Sequence, residues 1–253
     1  MDFIQVLILG LIQGLTEWLP ISSSGHLVVV QKLMNLSTPV VFDVMLHVGT
    51  LLAVIVFFRK DILKILKSLL SLKTKDENFK LFIYILIGTI PTAVIGFLFL
   101  KFFESLFSNV KAVGIGFLIT GALLLLSKLK NNNKNLNWFN SLIIGTIQGI
   151  SIAPGISRSG STISVGLLRG IKKEEVFKYS FLLSIPAIIG ANVMEYKAFN
   201  LSDIGLYSII GIIVSAISGY VALKIVHKML LSEKFYLFAV YCFLVGIVVL
   251  AFI

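Results

Sequence analysis

Six apolar runs, each long enough to cross a lipid bilayer, constrain the fold of this chain more than any other feature. A spanning helix needs about 20 mostly apolar residues, and shorter runs suffice where the helix tilts or the bilayer thins. The composition agrees, because 57% of the residues are hydrophobic and only 13% are charged. We therefore predict an all-α polytopic membrane helix bundle without a large soluble domain. The predicted transmembrane helices cover residues 40–58, 81–100, 112–127, 176–194, 205–223 and 235–253.

Two further apolar stretches are interrupted where a membrane helix would continue. The stretches at 3–19 and 138–153 each end in a cluster of proline, glycine and serine, and a second short apolar piece follows at 27–34 or 163–168. Neither member of a pair spans a membrane alone, so each pair predicts a re-entrant helical hairpin. Irregular backbone at membrane depth is tolerated only when it is buried in protein or lines a wet cavity. The two turns therefore predict a polar cavity inside the bundle.

The lysine and arginine residues orient the six crossings. The segments 59–80, 128–138, 169–178 and 224–234 fall on one side and carry seventeen of the 22 cationic side chains. Lysine-rich loops stay in the cytoplasm, so this bias places the C-terminus outside. The formal charge of +10 is thereby explained without a nucleic-acid partner. Because Asp2, rather than a run of cations, precedes the first apolar stretch, we expect no cleaved signal peptide.

The two halves of the chain are similar around the interrupted stretches. Residues 10–25 match 145–160 at seven of sixteen positions, with a repeated Gln-Gly and a repeated Ser-x-Ser-Gly. A second register, 88–101 over 211–224, repeats glycines that helix packing alone would explain. An odd number of crossings in each half forces opposite orientations, as in inverted-topology repeats. We predict a single membrane domain, 1–253, with repeat one at 1–130 (hairpin 3–34 plus three crossings) and repeat two at 131–253 (hairpin 138–170 plus three crossings).

The first turn places ionisable and hydroxyl side chains where hydrocarbon is expected. Gln13 and Glu17 are four residues apart and share one face of a helix. An ionisable residue at this depth is a functional candidate, because burying an unpaired carboxylate is costly. The segment Ser-Ser-Ser-Gly-His follows at 22–26, with Gly25 permitting a turn before the next helix begins. Free N–H groups at a helix start bind anions, and His26 can exchange a proton near neutral pH.

The second turn, 154–162, repeats the order of helix break, hydroxyls and helix restart, and it adds Arg158. A guanidinium group binds phosphate bidentately and keeps its charge, so its expected partner inside a membrane is an anion. An inert structural ion pair with Glu17 is the alternative. If the repeat is real, both turns converge on one pocket. Asp43 and His47, at the start of the first crossing, are interpreted as a helix-start acid and a packed histidine rather than as members of that pocket.

Two long segments of the chain carry the signature of a known family. They read QGLTEWLPISSSGH at 13–26 and PGISRSGST at 154–162. The chain resembles the undecaprenyl-diphosphate phosphatases, also called the bacitracin-resistance proteins, over its whole length. The resemblance implies a plasma-membrane enzyme that hydrolyses the terminal phosphate of undecaprenyl diphosphate and recycles this lipid carrier for cell-wall glycans. It further implies an active site open to the outer face and a divalent cation, Mg²⁺ or Ca²⁺.

The resemblance also assigns roles to residues by their position in the motifs. Ser23 is our first choice for the nucleophile, with His26 or Glu17 taking its proton, and attack by His26 or by water remains open. The functional residues implied by the motifs are Glu17, Ser23, His26, Ser157, Arg158 and Thr162. The helix-start argument adds Ser22, Ser24, Gly25, Ser159 and Gly160 as phosphate-binding residues.

The metal ligands are less completely defined. Many family members have a glutamate where this chain has Gln13, so Glu17 is the single carboxylate at the first turn. Since Mg²⁺ and Ca²⁺ bind six or more oxygens, a cation on Glu17 and Gln13 needs further ligands. We expect these from Asp43 or from the diphosphate itself.

Two other functional classes share some of these sequence features. A polyprenyl-phosphate flippase or transporter would use the same inverted repeats, and release of phosphate by purified protein would distinguish the two. The phosphatidic-acid-phosphatase type shares Pro-Ser-Gly-His and Ser-Arg elements, but its Lys…Arg-Pro and final His-x-x-x-Asp elements do not occur here. The expected partners are a polyprenyl diphosphate lipid and membrane lipid, with no nucleic acid and with a homodimer left open.

Overall fold

Twelve α-helices make up most of the residues that the computed structural model describes, which are 2–36, 40–72, 74–129, 133–195 and 205–253. The predicted all-α class is confirmed. The boundary between the predicted repeats, at 130/131, and most of the loop 195–204 lie outside the described residues. The helices are α1 (Phe3–Trp18), α2 (Ser23–Leu33), α3 (Val40–Phe57), α4 (Arg59–Leu70), α5 (Glu77–Leu98), α6 (Leu100–Phe107), α7 (Val110–Leu126), α8 (Trp138–Ile150), α9 (Arg158–Leu168), α10 (Lys173–Glu195), α11 (Leu206–Leu231) and α12 (Phe238–Phe252).

The long apolar helices make this a multi-pass membrane protein. Four helical segments in the described ranges are long and apolar enough to cross a membrane unaided. The number rises to six if each of two bent pairs counts as one span: α3 and α4 meet at 74°, and α6 and α7 at 103°. The six predicted crossings correspond to α3, α5, α7, α10, α11 and α12.

Two segments that lie between predicted crossings contain helices. Residues 59–80 include α4, and residues 101–111 include most of α6. Helix α4 buries Ile65 and Ser68 against the protein, and it exposes leucines on one side and lysines on another. This pattern is typical of a helix that lies in the membrane interface. The exposed leucines are Leu63, Leu66 and Leu70, and the lysines are Lys60, Lys64 and Lys67.

The second arm of each hairpin begins earlier than predicted. Helix α2 begins at Ser23 and α9 at Arg158, because Ser22 and Ser157 cap these helices. Gly25 therefore lies in the first turn of α2, and our prediction that it permits a turn before the helix was wrong. A Cβ atom at Gly25 would lie 2.7 Å from the Phe117 ring, so close packing explains the glycine.

The first arm of each hairpin packs against a helix of the other half of the chain. Helix α1 packs on α11, and α8 packs on α5. Glycines allow the close approach: a Cβ atom at Gly10 would lie 3.1 Å from the Gly211 carbonyl oxygen, and one at Gly145 would lie 2.1 Å from the Gly88 carbonyl oxygen. These are the glycines that the two sequence registers pair. The reciprocal contacts are those expected of an inverted repeat, whose boundaries stay a prediction.

Candidate active site

An ion pair joins the turns of the two hairpins. Glu17 lies in the last turn of α1, and Arg158 is the first residue of α9. The Nη2 atom of Arg158 donates to Oε1 of Glu17 at 2.6 Å, and the guanidinium lies 4.8 Å from the centroid of the Trp18 ring. Ser159 Oγ also donates to the Leu19 carbonyl oxygen at 3.2 Å. The structure thus brings together the buried acid and the buried base that the sequence analysis singled out.

The other carboxylate oxygen of Glu17 collects further donors. Ser23 donates its hydroxyl proton to Oε2 at 2.5 Å, and the Gln13 amide donates to the same atom at 3.2 Å. The Nε2 atom of His47 lies 3.6 Å from it. The Glu17 side chain is only 9% exposed, so these contacts replace its hydration. Of the predicted proton acceptors for Ser23, Glu17 is the one in contact with the hydroxyl.

The two helix starts have the same local geometry. Ser22 Oγ accepts from the Gly25 N–H at 3.3 Å, and Ser157 Oγ accepts from the Gly160 N–H at 3.1 Å. In each turn the capping serine also lies 3.3 Å from the hydroxyl two residues later, Ser24 or Ser159. The caps use the glycine N–H groups, so the first two N–H groups of α2 and α9 are the donors that remain for an anion.

Backbone strain distinguishes the first turn from the second. Ser22 has a φ of 67°, in a region that residues other than glycine seldom occupy, whereas Ser157 has an ordinary φ of −72°. Strain of this kind costs on the order of 1–3 kcal/mol and clusters at functional sites. The first turn is therefore the more constrained of the two, and it carries Ser23.

Arg158 has unused hydrogen-bonding capacity. Its Nη1 atom is buried and has no hydrogen-bond partner among the described residues. A buried, unpaired guanidinium N–H is costly, and an anion would satisfy it. The cluster also holds an unpaired acceptor, because Gln13 Oε1 is buried without a partner in the described part of the chain, and a hydrogen-bond donor or a cation would satisfy it.

Two predicted site residues point away from the Glu17 carboxylate. His26 Nδ1 contacts the Ser22 carbonyl oxygen at 2.7 Å, and its Nε2 contacts the Tyr241 hydroxyl at 2.7 Å. Thr162 Oγ1 donates to the Arg158 carbonyl oxygen at 2.7 Å and lies 2.6 Å from Ser180 Oγ. In this arrangement Thr162 supports the first turn of α9 and its contact with α10.

His47 occupies a position that the sequence interpretation did not assign to it. We interpreted it as a packed histidine, but the structure places it against Glu17, with Nδ1 2.8 Å from the Asp43 carbonyl oxygen. No local pattern in the sequence distinguishes it from an ordinary packed histidine. Asp43 itself accepts from the Gln31 amide at 3.0 and 3.1 Å.

The donors around Glu17 fit a divalent cation only in part. Among the described residues, no three histidine, cysteine, aspartate or glutamate side chains come together as a metal site. Glu17 supplies carboxylate oxygens and Gln13 an unpaired amide oxygen, whereas the Asp43 carboxylate binds Gln31. These donors fit a cation that a diphosphate also ligates, and they do not fit one that protein side chains hold alone.

Comparisons with known proteins cover nearly the whole chain. A family model described as bacitracin resistance protein BacA matches residues 6–248. The chain is similar to the undecaprenyl-diphosphatase of Korarchaeum cryptofilum, at 45% identity over 260 residues and 99% of both chains. It is also similar to that of Halothermothrix orenii, at 47% identity over 259 residues, with 99% of this chain and 98% of the relative covered. The undecaprenyl-diphosphatase of Thermosipho africanus is 44% identical over 245 residues, 96% of this chain and 97% of its own.

Proposed function

Because the chain belongs to the bacitracin resistance protein BacA family, we propose that the cluster around Glu17 and Arg158 is the active site of an undecaprenyl-diphosphatase. The protein is a membrane phosphatase that hydrolyses undecaprenyl diphosphate to undecaprenyl monophosphate and inorganic phosphate. Its substrate is a polyprenyl diphosphate lipid, and its surroundings are membrane lipid. The observation that carries the site assignment is the buried Arg158–Glu17 pair with an unpaired Nη1 atom.

Arg158 is the proposed phosphate-binding residue. Its free Nη1 donates to a phosphate oxygen, and the first N–H groups of α2 and α9 add donors on both sides of the anion. Phosphoryl transfer is catalysed mainly by positioning and charge stabilisation, which this arrangement supplies. The buried Glu17 carboxylate holds the guanidinium in place before the substrate arrives.

Ser23 is the proposed nucleophile, and Glu17 is its base. Glu17 Oε2 takes the hydroxyl proton across the 2.5 Å hydrogen bond as Oγ bonds to the terminal phosphorus. The bond from that phosphorus to the bridging oxygen breaks, and undecaprenyl monophosphate leaves. Water then attacks the phosphorus of the phosphoserine and the bond from phosphorus to Oγ breaks. Glu17 returns its proton to Oγ, which restores the Ser23 hydroxyl, and the water protons leave with inorganic phosphate. Direct attack by water, with Glu17 as base, is the competing route.

We propose that Mg²⁺ or Ca²⁺ binds together with the diphosphate. Glu17 and the unpaired oxygen of Gln13 are the residues that would hold the cation, and the phosphate oxygens complete its shell. When bound, the ion neutralises charge on the phosphate groups.

The proposed location is the plasma membrane, with the active site facing its extracytoplasmic side. The support is the distribution of lysines, which puts the loops after α4 and before α8 in the cytoplasm. In that orientation the first hairpin, with Glu17, Ser23 and His26, enters from the outer side. A homodimer stays a prediction.

Release of phosphate from undecaprenyl diphosphate by the purified protein in detergent tests this function. The wild type should release phosphate, Arg158→Ala should lose nearly all activity, and Arg59→Ala should be unaffected. Arg59 is a suitable control because it is exposed and donates to the Val56 carbonyl oxygen. Near-normal activity of Arg158→Ala would show that the central assignment is wrong. A flippase without phosphatase activity would release no phosphate at all.

A further inference from the structure

His26 has a hydrogen-bond partner on the last helix of the chain. Its Nε2 atom lies 2.7 Å from the hydroxyl oxygen of Tyr241, which is 215 positions away. The two ring planes differ by 10°, with the ring centroids 5.7 Å apart. The Phe117 ring meets the imidazole edge-on, with centroids 5.1 Å apart. Two hydrogen bonds and two aromatic contacts thus fix the orientation of the imidazole.

The hydrogen bonds also define the tautomer of His26. A carbonyl oxygen can only accept a hydrogen bond, so the contact between Nδ1 and the Ser22 carbonyl oxygen puts a proton on Nδ1. In the neutral ring Nε2 then carries a lone pair, and the Tyr241 hydroxyl donates to it. Both nitrogens are therefore engaged away from Ser23, whose hydroxyl donates to Glu17 instead.

Helix α12 holds Tyr241 beside the first turn through a second contact. The thiol of Cys242, the next residue, lies 3.6 Å from the Pro20 carbonyl oxygen and is buried. Tyr241 itself is 42% exposed.

We propose that Tyr241 is a positioning residue for His26 in the phosphatase reaction. The inference rests on the proposed function and adds a residue to the same site. The Tyr241 hydroxyl fixes the Nδ1–H tautomer and the plane of the ring, and Nε2 takes up a proton through it. Tyr241 gives its proton to Nε2 while its oxygen takes one from water or a phosphate oxygen, so the tyrosine stays neutral and the imidazole becomes imidazolium.

The first test compares Tyr241→Phe with Tyr207→Phe in the full-length protein. Tyr207 is a matched control, because it lies in a membrane helix, α11, and is 46% exposed. Loss of a positioned proton-transfer group costs about 10²- to 10⁴-fold in rate, so we expect about 100-fold from His26→Ala and about tenfold from Tyr241→Phe. The loss should appear in kcat with KM changed less than about twofold, because Tyr241 does not bind the diphosphate. Activity of Tyr241→Phe equal to that of Tyr207→Phe would overturn the proposal.

The double variant separates positioning from a general packing role. If Tyr241 acts through His26, adding Tyr241→Phe to His26→Ala should cause no further loss of kcat. An additional tenfold loss in that background would mean that Tyr241 acts independently of His26. If the thermal unfolding midpoint of each single variant equals that of the wild type, loss of folding is excluded as the cause.

Nitrogen-15 NMR of labelled histidine gives a readout that does not depend on activity. The protein has three histidines, so His26→Ala assigns the His26 signals by difference. The wild type should show the Nδ1–H tautomer with a hydrogen-bonded Nε2, and Tyr241→Phe should shift the Nε2 resonance while Tyr207→Phe leaves it unchanged. An unshifted Nε2 in Tyr241→Phe would overturn the proposal. Absence of phosphate release by the wild type would instead reject the proposed function, and the NMR comparison would still decide the positioning role.

Discussion

Glu17 and Arg158 lie 141 positions apart in sequence and form a buried ion pair at 2.6 Å where the turns of the two hairpins meet. In a purely structural ion pair, the hydrogen-bonding atoms of both partners would all be satisfied. Here the guanidinium keeps one buried nitrogen without a partner among the described residues, and the carboxylate accepts the hydroxyl proton of a serine. These features favour a working site over the inert ion pair that the sequence also allowed.

Arg158→Lys should retain the positive charge and still lose most activity. A lysine is a point charge on a flexible stem and cannot hold Glu17 and a phosphate oxygen in one planar fork. We expect phosphate release to fall by about 10²- to 10³-fold, the range typical of one lost charge-stabilising donor. Steady-state assays over a range of substrate concentrations check this, and recovery of full activity in Arg158→Lys would show that charge alone suffices.

Glu17→Gln should abolish catalysis while the fold persists. The amide keeps the shape of the side chain but cannot take the Ser23 proton, so we expect a loss of about 10²- to 10⁴-fold in kcat. Glu104→Gln, at an exposed acid in α6, serves as the control and should be silent. Comparable activity in the two variants would remove Glu17 from the mechanism.

Ser23→Ala and Ser22→Ala should affect different properties. Ser23→Ala removes the proposed nucleophile, so turnover and any phosphoserine trapped by rapid acid quench should disappear. Ser22→Ala removes the cap of α2, which should lower the free energy of unfolding by about 1 kcal/mol. Undiminished turnover of Ser23→Ala would remove the nucleophile assignment and leave the Arg158 assignment intact.

Gln13→Glu should lower the divalent cation concentration needed for activity. The added carboxylate lies beside Glu17 and supplies a charged ligand where the wild type has an amide oxygen. Titration of Mg²⁺ or Ca²⁺ into chelator-treated protein should give half-maximal phosphate release at a concentration several-fold lower than in the wild type. Full activity of the wild type in excess chelator would reject the proposed cation.

Gly145→Ala should destabilise the bundle, because a Cβ atom there would lie 2.1 Å from the Gly88 backbone carbonyl oxygen, which cannot move without shifting α5. Overpacking of this kind costs about 1–3 kcal/mol. Gly190→Ala is the control, since among the described residues no atom outside its own stretch of helix lies within 4 Å of its added methyl group. The thermal unfolding midpoints of the two variants are measured in detergent. Equal midpoints would argue against the tight contact of α8 with α5.

Much of the fold and part of the site could be predicted from the sequence, for identifiable physical reasons. Long apolar runs mark crossings, and Pro/Gly/Ser interruptions mark the hairpin turns, because lipid tolerates no unsatisfied backbone. Glu17 and Arg158 stood out because charges inside a membrane need partners. The helices α4 and α6 were missed because their charged and apolar residues alternate around the helix and average to intermediate hydropathy.

The contacts of His47 and Tyr241 could not be predicted in the same way. His47 meets Glu17 through the packing of α3 beside the first hairpin, and Tyr241 meets His26 across 215 positions. Neither residue carries a local pattern that distinguishes it from ordinary membrane histidines and tyrosines. Such contacts depend on how helices pack, which periodicity and composition do not specify.

The crossed glycine contacts, Gly10 with Gly211 and Gly145 with Gly88, make the two halves of the chain dependent on each other. Each half supplies one hairpin turn of the site. It also supplies the helix, α5 or α11, on which the first arm of the other half's hairpin packs. Neither half could complete its own turn in isolation. A chain of half this length with the same architecture would need a second copy, inserted in the opposite orientation, before either turn had a surface to pack on.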